Sequence, residues 1–530
     1  MRLFDANVRL GRFNRWSGAE PITAIDMLHT MDHYGIHEAL VVDNMSFEFH
    51  TVDGNQRVLR LTADQPRLHP AWAILPQAGR EMAPPGETVE AMACQGVRAA
   101  FLFPNQYHHT LDDWCVDELL APFAERRVPV FICPDSASPD RADWRTQDNT
   151  DWAGVVRICR TFPQLPVVVV EKRISYAMRP MYQALEACAN LHLEVSTLWL
   201  HHVIEFICRE WGAERLLFGS GLPERDPGAA LGQLVFSDIS SEDRMAIAGG
   251  NLRRLLSWNA EAPLRRPDVA LPEPIDELHA IPRSLGTLRG QGFHSAHGHL
   301  GRTNLQHVPD CEVADIIREM DRLGVEREIL FTNGGLSSDE VYGNDMVIDA
   351  VQRYPDRLIG FVSVNVHRSP EAIRGEIERG FARGLKGIKL HPDFQGADPL
   401  GPNVELVCSI ANERRTFIIN HNWGGADRII SLCRRYPDAC FMTGHTSEAA
   451  IPAVRVVPNL YIGTCPLNGW GVTERFVAEA GADRLVFGSD LLWNPVGWGI
   501  GPVLYARINV PDKRKILGGN IRRLLNQYNR

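Results

Sequence analysis

Two long stretches of this chain repeat each other, and no other feature limits its fold as strongly. ERRVPVFICPD (125–135) lies against ERRTFIINHNW (413–423), and RLLFGSGLP (215–223) against RLVFGSDLL (484–492). AGGNLRRLL (248–256) matches LGGNIRRLL (517–525), and FDANVRLG (4–11) matches HSAHGHLG (294–301). QGVRAAFLFP and RGLKGIKLHP add a further pair. The matches keep their order, as a tandem duplication would. The offset is 288 at Cys133/His421 but 274 at Glu171/His445, which implies about 14 extra residues in the first half, within the polar stretch 136–152.

Each half is about 250 residues, the usual length of a (β/α)8 barrel. Short aliphatic runs alternate with amphipathic helical stretches such as VADIIREMDRLGVEREILFT (313–332), a pattern of parallel strands joined by helices. The expected fold is therefore α/β, with two tandem (β/α)8 barrels at 1–260 and 289–530. The proline-rich segment 261–288 is the expected linker.

A net charge of -10 argues against a nucleic-acid binder. The N-terminus MRLFDANVRLGRF has charges where a signal peptide needs an apolar run, and the longest aliphatic run, PVVVV, is strand-sized. Eleven scattered cysteines with no C-x-x-C pair suit reduced thiols in the cytoplasm. No membrane or nucleic-acid partner is expected.

In such a barrel the chemistry sits at the C-terminal strand ends. In the second half those ends are polar. His297 and His299 end the first strand as H-x-H, and alternation puts both rings inside. Lys389 and His391 repeat the pattern in GIKLHP, with Ile388 and Leu390 toward the helices. His421 ends FIINH, His445 ends CFMTGH and Asp490 ends LVFGSD. Taken in order over 292–530, these residues resemble the amidohydrolase superfamily, in its branch related to aminocarboxymuconate-semialdehyde decarboxylase.

The resemblance implies a barrel of the metal-dependent hydrolase type. It implies one divalent ion, Zn²⁺ first and Mn²⁺ or another divalent ion as alternatives, on His297, His299, His421 and Asp490. His445 would stay off the metal as acid/base, and Asp490 would move the proton. Imidazoles and a carboxylate suit such an ion, and bound water falls to a pKa of about 7, supplying hydroxide. Lys389, His391, Arg302 and Trp423 are the expected substrate contacts. For Lys389 a buried structural cation is the alternative, for Arg302 a surface arginine, and for Trp423 core packing. The glycines of GWGIGP (497–502) are no dinucleotide fingerprint and are expected to shape a loop.

At the matched positions the first half has Asn7, Arg9, Cys133, Glu171 and Gly221, with Phe101 and Phe103 in place of Lys389 and His391. That barrel is expected to hold no catalytic metal, its mouth filled by the phenylalanines. The chain then reads as an internal pseudo-dimer, and Arg179 is the first-half residue that the resemblance offers as a reach-over arginine. The expected activity is metal-dependent hydrolysis of a C–N, C–O or activated C–C bond in a small, carboxylated molecule. A non-oxidative decarboxylase or hydratase is the alternative within the fold, and an inactive scaffold the alternative outside it.

Overall fold

The computed structural model describes residues 1–14, 23–134, 150–171, 178–445, 448–465 and 469–528. Most of the stretch 136–152, expected as an insertion, lies outside the described residues. Contacts divide the chain into two compact units. One comprises 1–199, 203–230 and 237–274, and the other 200–202, 231–236 and 275–530. The expected linker 261–288 is thus divided. Its second part contains the helix Glu277–Arg283, whose N-cap Asp276 accepts the N–H groups of Leu278 and His279. Leu278, His279 and Pro282 are buried, so this segment packs as part of the second unit.

The second unit is a closed parallel barrel of eight strands in sequence order: Phe293–Leu300, Val325–Thr332, Leu358–Ser363, Gly387–Leu390, Phe417–Asn420, Cys440–Thr443, Leu460–Gly463 and Leu485–Val486. Closure comes from the bridge Gly298–Leu491 and the bonds from Ala296 N–H to Phe487 O (2.7 Å) and His299 N–H to Leu491 O (2.9 Å). Alternation sorts the side chains. Ala296, Phe331, Phe361, Ile419, Met442 and Val486 fill the interior, whereas Leu330, Ile388, Leu390, Ile418 and Phe441 join the layer of apolar residues outside it.

Helices follow the strands for local reasons. Val313–Leu323 opens with a Glu312/Asp315 capping box, buries Val313, Ile316, Met320 and Leu323, and stops at Gly324, whose φ is 68°. GWGIGP is not a loop: Val496–Tyr505 is a fully buried helix. Gly499 lets it approach the last strand, because a Cβ there would lie 3.2 Å from Gly488 O.

The first unit repeats this plan with a three-stranded and a six-stranded parallel sheet. Its third strand position is interrupted at Ala71: Leu68–Pro70 pairs backwards and Trp72–Ala73 forwards. The ends close through Val8–Leu222 and the bond from Arg9 N–H to Leu222 O (2.9 Å). It too is a (β/α)8-type barrel.

The GGN motif near the end of each half now has a physical reading. A Cβ on Gly518 would meet Gly292 O at 2.8 Å, and one on Gly249 would meet Phe4 Cβ at 2.9 Å, so glycine lets the final helix press on the first strand. Asn520 then donates to Ala482 O and Leu485 O, as Asn251 does to Ala213 O and Leu216 O. Among the described residues no helix is long and apolar enough to cross a membrane, and the cysteines are free thiols.

Candidate metal centre

The H-x-H strand brings both of its rings to one point. His297 Nε2 and His299 Nε2 are 3.3 Å apart, and Asp490 Oδ1 lies 3.5 and 3.1 Å from them. All three residues are at most 5% exposed. Asp490 reaches this point on a left-handed backbone with φ 52°, an uncommon state for a side-chain-bearing residue. Its Oδ2 accepts from Asn494 Nδ2 at 2.7 Å, while Oδ1 has no hydrogen-bond partner. Burial works against the Asp490 carboxylate, but contact with His299 and His445 holds it ionised, at about 2. Burial, reinforced by Lys389, drives His297 well below the ordinary imidazole range. Two imidazole nitrogens and an orphaned carboxylate oxygen facing one another are a donor set that fits a divalent cation.

The remaining expected residues are placed unequally. Lys389 is fully buried, with Nζ 3.4 Å from His297 Nε2 and 4.1 Å over the Phe331 ring. Burial draws its ammonium down to about 7 against the pull of Asp490. It lies in the barrel interior beside His297. His445 contacts His421 (4.4 Å between rings) and His297 (5.7 Å), and burial lowers it to about 3.

His421 lies outside the compact trio and falls in a second group with His391 and Asp393. Its Nδ1 donates to Asp393 Oδ2 at 3.0 Å, and Asn422 Nδ2 donates to the other oxygen at 3.2 Å. The His391 ring is stacked between Phe394 (3.8 Å, 1°) and His421 (4.1 Å, 13°). Parallel rings do not point their in-plane lone pairs at one ion, so this second group reads as a hydrogen-bonded clamp.

Two expected contacts lie elsewhere. The Arg302 side chain is 83% exposed and faces Glu312 at 3.8 Å. Gly301 turns the chain there with φ 86°. Trp423 packs in the layer outside the barrel against Phe441, and its indole N–H donates to Met442 O at 3.2 Å. Trp493 is the tryptophan beside the centre, 5.7 Å from the His299 ring and 5.9 Å from Phe394.

Sequence reasoning missed several residues here. Phe331 lies edge-on to both His297 (4.9 Å) and His299 (4.8 Å). Asn494 contacts Asp490 and Cys465. Glu328, wholly buried, lies beside Gly298 and is pushed well above the ordinary carboxyl range by burial. A polar residue one turn after Asp490 was a signal available for Asn494; the others look like ordinary strand residues.

At the matched positions of the first unit, Asn7 donates to Glu194 (3.1 Å). Arg9 is buried over the Phe47 ring (4.1 Å) and lies 3.7 Å from Glu224. Phe101 stacks on Phe131 at 4.6 Å, and Phe47 meets Phe103 at 5.0 Å, so aromatic rings occupy this interior. Gly221 takes the left-handed position (φ 73°) that Asp490 takes in the other unit. Among the described residues this unit offers no trio of metal-competent side chains. Arg179 is exposed in the first turn of the helix Met178–Ala187.

Residues 308–527 match the family model described as Amidohydrolase. No curated protein matches. Similar solved structures include an uncharacterised TIM-barrel protein from Bordetella bronchiseptica (16% identity, 45% of this chain and 100% of that one, TM-score 0.39). A 2,6-dihydroxybenzoate decarboxylase from Rhizobium has 16% identity over 44% of this chain and 99% of its own, at TM-score 0.36. A dihydroxybenzoic acid decarboxylase from Polaromonas sp., with bound manganese and 2-nitroresorcinol, has 16% identity over 44% and 97%, at TM-score 0.35.

Proposed function

We propose that the second barrel, within which residues 308–527 match the Amidohydrolase family model, is a metal-dependent hydrolase of a small, carboxylated molecule. The observation that carries this reading is the convergence of His297, His299 and Asp490 on one buried point. His421, outside that trio and held by Asp393, would complete the ligand set. Asp393 occupies its Nδ1, which leaves Nε2 as the free donor. The ion is Zn²⁺ in this reading, with Mn²⁺ the alternative. Such an ion supplies Lewis acidity and an acidified water when bound.

The chain's own groups divide the remaining work. Asp490, kept ionised by His299 and His445, would serve as the proton acceptor. Neutral His445 holds the scissile group by hydrogen bonding and takes part in proton transfer. His391 accepts the Phe394 N–H at Nδ1 (3.3 Å), leaving an Nε2–H donor for a substrate oxygen. Trp493 and Phe394 line the approach with aromatic surface. The first barrel has no catalytic role in this reading, and the two halves derive from one duplicated ancestor.

Metal analysis together with isotope tracing tests the proposal. The parent chain should hold near-stoichiometric zinc or manganese, lost in His297→Ala and Asp490→Asn. Turnover of carboxylated aromatic or cyclic-amide candidates should place ¹⁸O from water in the product. Release of CO2 without water oxygen in the organic product would make the enzyme a carboxy-lyase instead. A metal-free parent indistinguishable from both variants would reduce the chain to a scaffold.

A further inference from the structure

Glu328 is a buried acid that the reaction above does not use. Its strand lies beside the H-x-H strand, with Ser295 paired to Glu328 in the sheet register. Glu328 Oε2 is 3.0 Å from Ser489 Oγ, the residue immediately before Asp490. Ser489 Oγ is also 3.1 Å from His297 O and accepts the Leu491 N–H at 3.1 Å. Ser295 Oγ accepts the Ser489 N–H at 2.9 Å. One hydroxyl thus ties the end of the last strand to the bulge of the first, and Glu328 abuts that knot.

The other carboxyl oxygen faces the glycine between the two histidines. A Cβ at Gly298 would lie 2.7 Å from Oε1, close enough that the Glu328 carboxyl would have to shift. Oε1 has no hydrogen-bond partner, and the groups that act on Glu328 are Ser295, Ser489 and Asp490, with no cation among them. A buried carboxyl oxygen left without a partner costs stability. Such a cost points to a placement that matters.

The first barrel holds the same knot with its parts exchanged. There Asp5 pairs with Ala39 in the register where Ser295 pairs with Glu328, and Val8 replaces Gly298. Ser220 N–H donates to Asp5 Oδ1 at 2.9 Å, and Leu222 N–H to Ser220 Oγ at 3.1 Å. The barrel without the metal trio thus has Ala39 at the place of Glu328 and a valine side chain at the place of Gly298.

We propose that Glu328 is a positioning residue for the metal centre, locking the turn that carries Asp490 against the bulge that carries His297 and His299. The inference rests on the metal reading above. The test is Co²⁺ titration of the full chain in competition with a chelator, read by visible absorption and alongside the unfolding temperature of the metal-free protein. Glu328→Ala should weaken Co²⁺ by about 10–100-fold and alter its absorption bands, while Glu328→Gln, which keeps the shape, stays within about threefold of the parent. Ser489→Ala should weaken Co²⁺ in the same direction, and it serves if Glu328→Ala does not fold. Parent-like Co²⁺ binding by Glu328→Ala or Ser489→Ala overturns the proposal, as does a Glu328→Gln loss equal to that of Glu328→Ala. A parent chain that binds no Co²⁺ overturns the metal reading itself, and this inference with it.

Discussion

Asp490 shows the tension between stability and function at a single position. Its φ of 52° is a state that glycine takes freely, and Gly221 occupies the matched place in the first barrel. Asp490→Gly should therefore raise the unfolding free energy of the metal-free protein by about 1 kcal/mol. It should abolish the stabilisation by added Zn²⁺; thermal unfolding with and without metal checks both parts. Trp423 invites the opposite experiment. Its indole N–H serves Met442 O outside the barrel, so Trp423→Phe should cost about 1 kcal/mol of stability and leave kcat/KM unchanged. A fall in kcat/KM without loss of stability would return Trp423 to the substrate site.

At the scale of elements, Asn520 and Gly518 make the final helix a closing piece. Asn520→Ala removes two buried hydrogen bonds and should cost about 1–3 kcal/mol in chemical denaturation. Gly518→Ala should cost a similar amount through its clash with Gly292 O. These motifs were legible because matching strings in the two halves marked where each barrel closes. The polar strand ends were legible too, since period-two alternation sends His297 and His299 to the same side. What escaped depends on side-chain reach beyond a strand end. Nothing in the string says that Gly301 turns Arg302 outward, or that Trp423 folds back over Phe441. Asp393 acts from the one-turn helix Pro392–Gln395 and Asn494 from a loop, and Glu328 is invisible as a site residue because its partner Ser489 is distant in the chain.

For the molecule as a whole, the two barrels should respond differently to the same additions. Zn²⁺ at 100 times its Kd stabilises its binding unit by about 2.7 kcal/mol. Hydrogen exchange should therefore slow in peptides spanning 293–300 and 485–494 and stay unchanged across 1–260. Protection in the first half would contradict an intact centre confined to the second. Acid should act on the first unit through Glu38. Burial disfavours its charged form, but His69 and Arg253 hold the carboxylate down at about 2. A depressed carboxylate contributes stability above its unfolded value near 4.5 and loses it as pH falls toward 2. The contribution is on the order of 2 kcal/mol after screening of the part-exposed arginines. Glu38→Gln should flatten the stability profile of the first unit over that interval, as followed by hydrogen exchange.

The glycine that seats each final helix on its first strand has a consequence for how such chains can be rearranged. Within each barrel the beginning and the end of the fold are neighbours, so the polypeptide can be opened at another loop and its old termini rejoined by a short bridge. Circular permutants of the second barrel, cut in surface loops away from the strand ends that carry the histidines, should assemble the same ion site from a different order of synthesis. Its chemistry then belongs to the closed ring of strands, whichever residue happens to be made first.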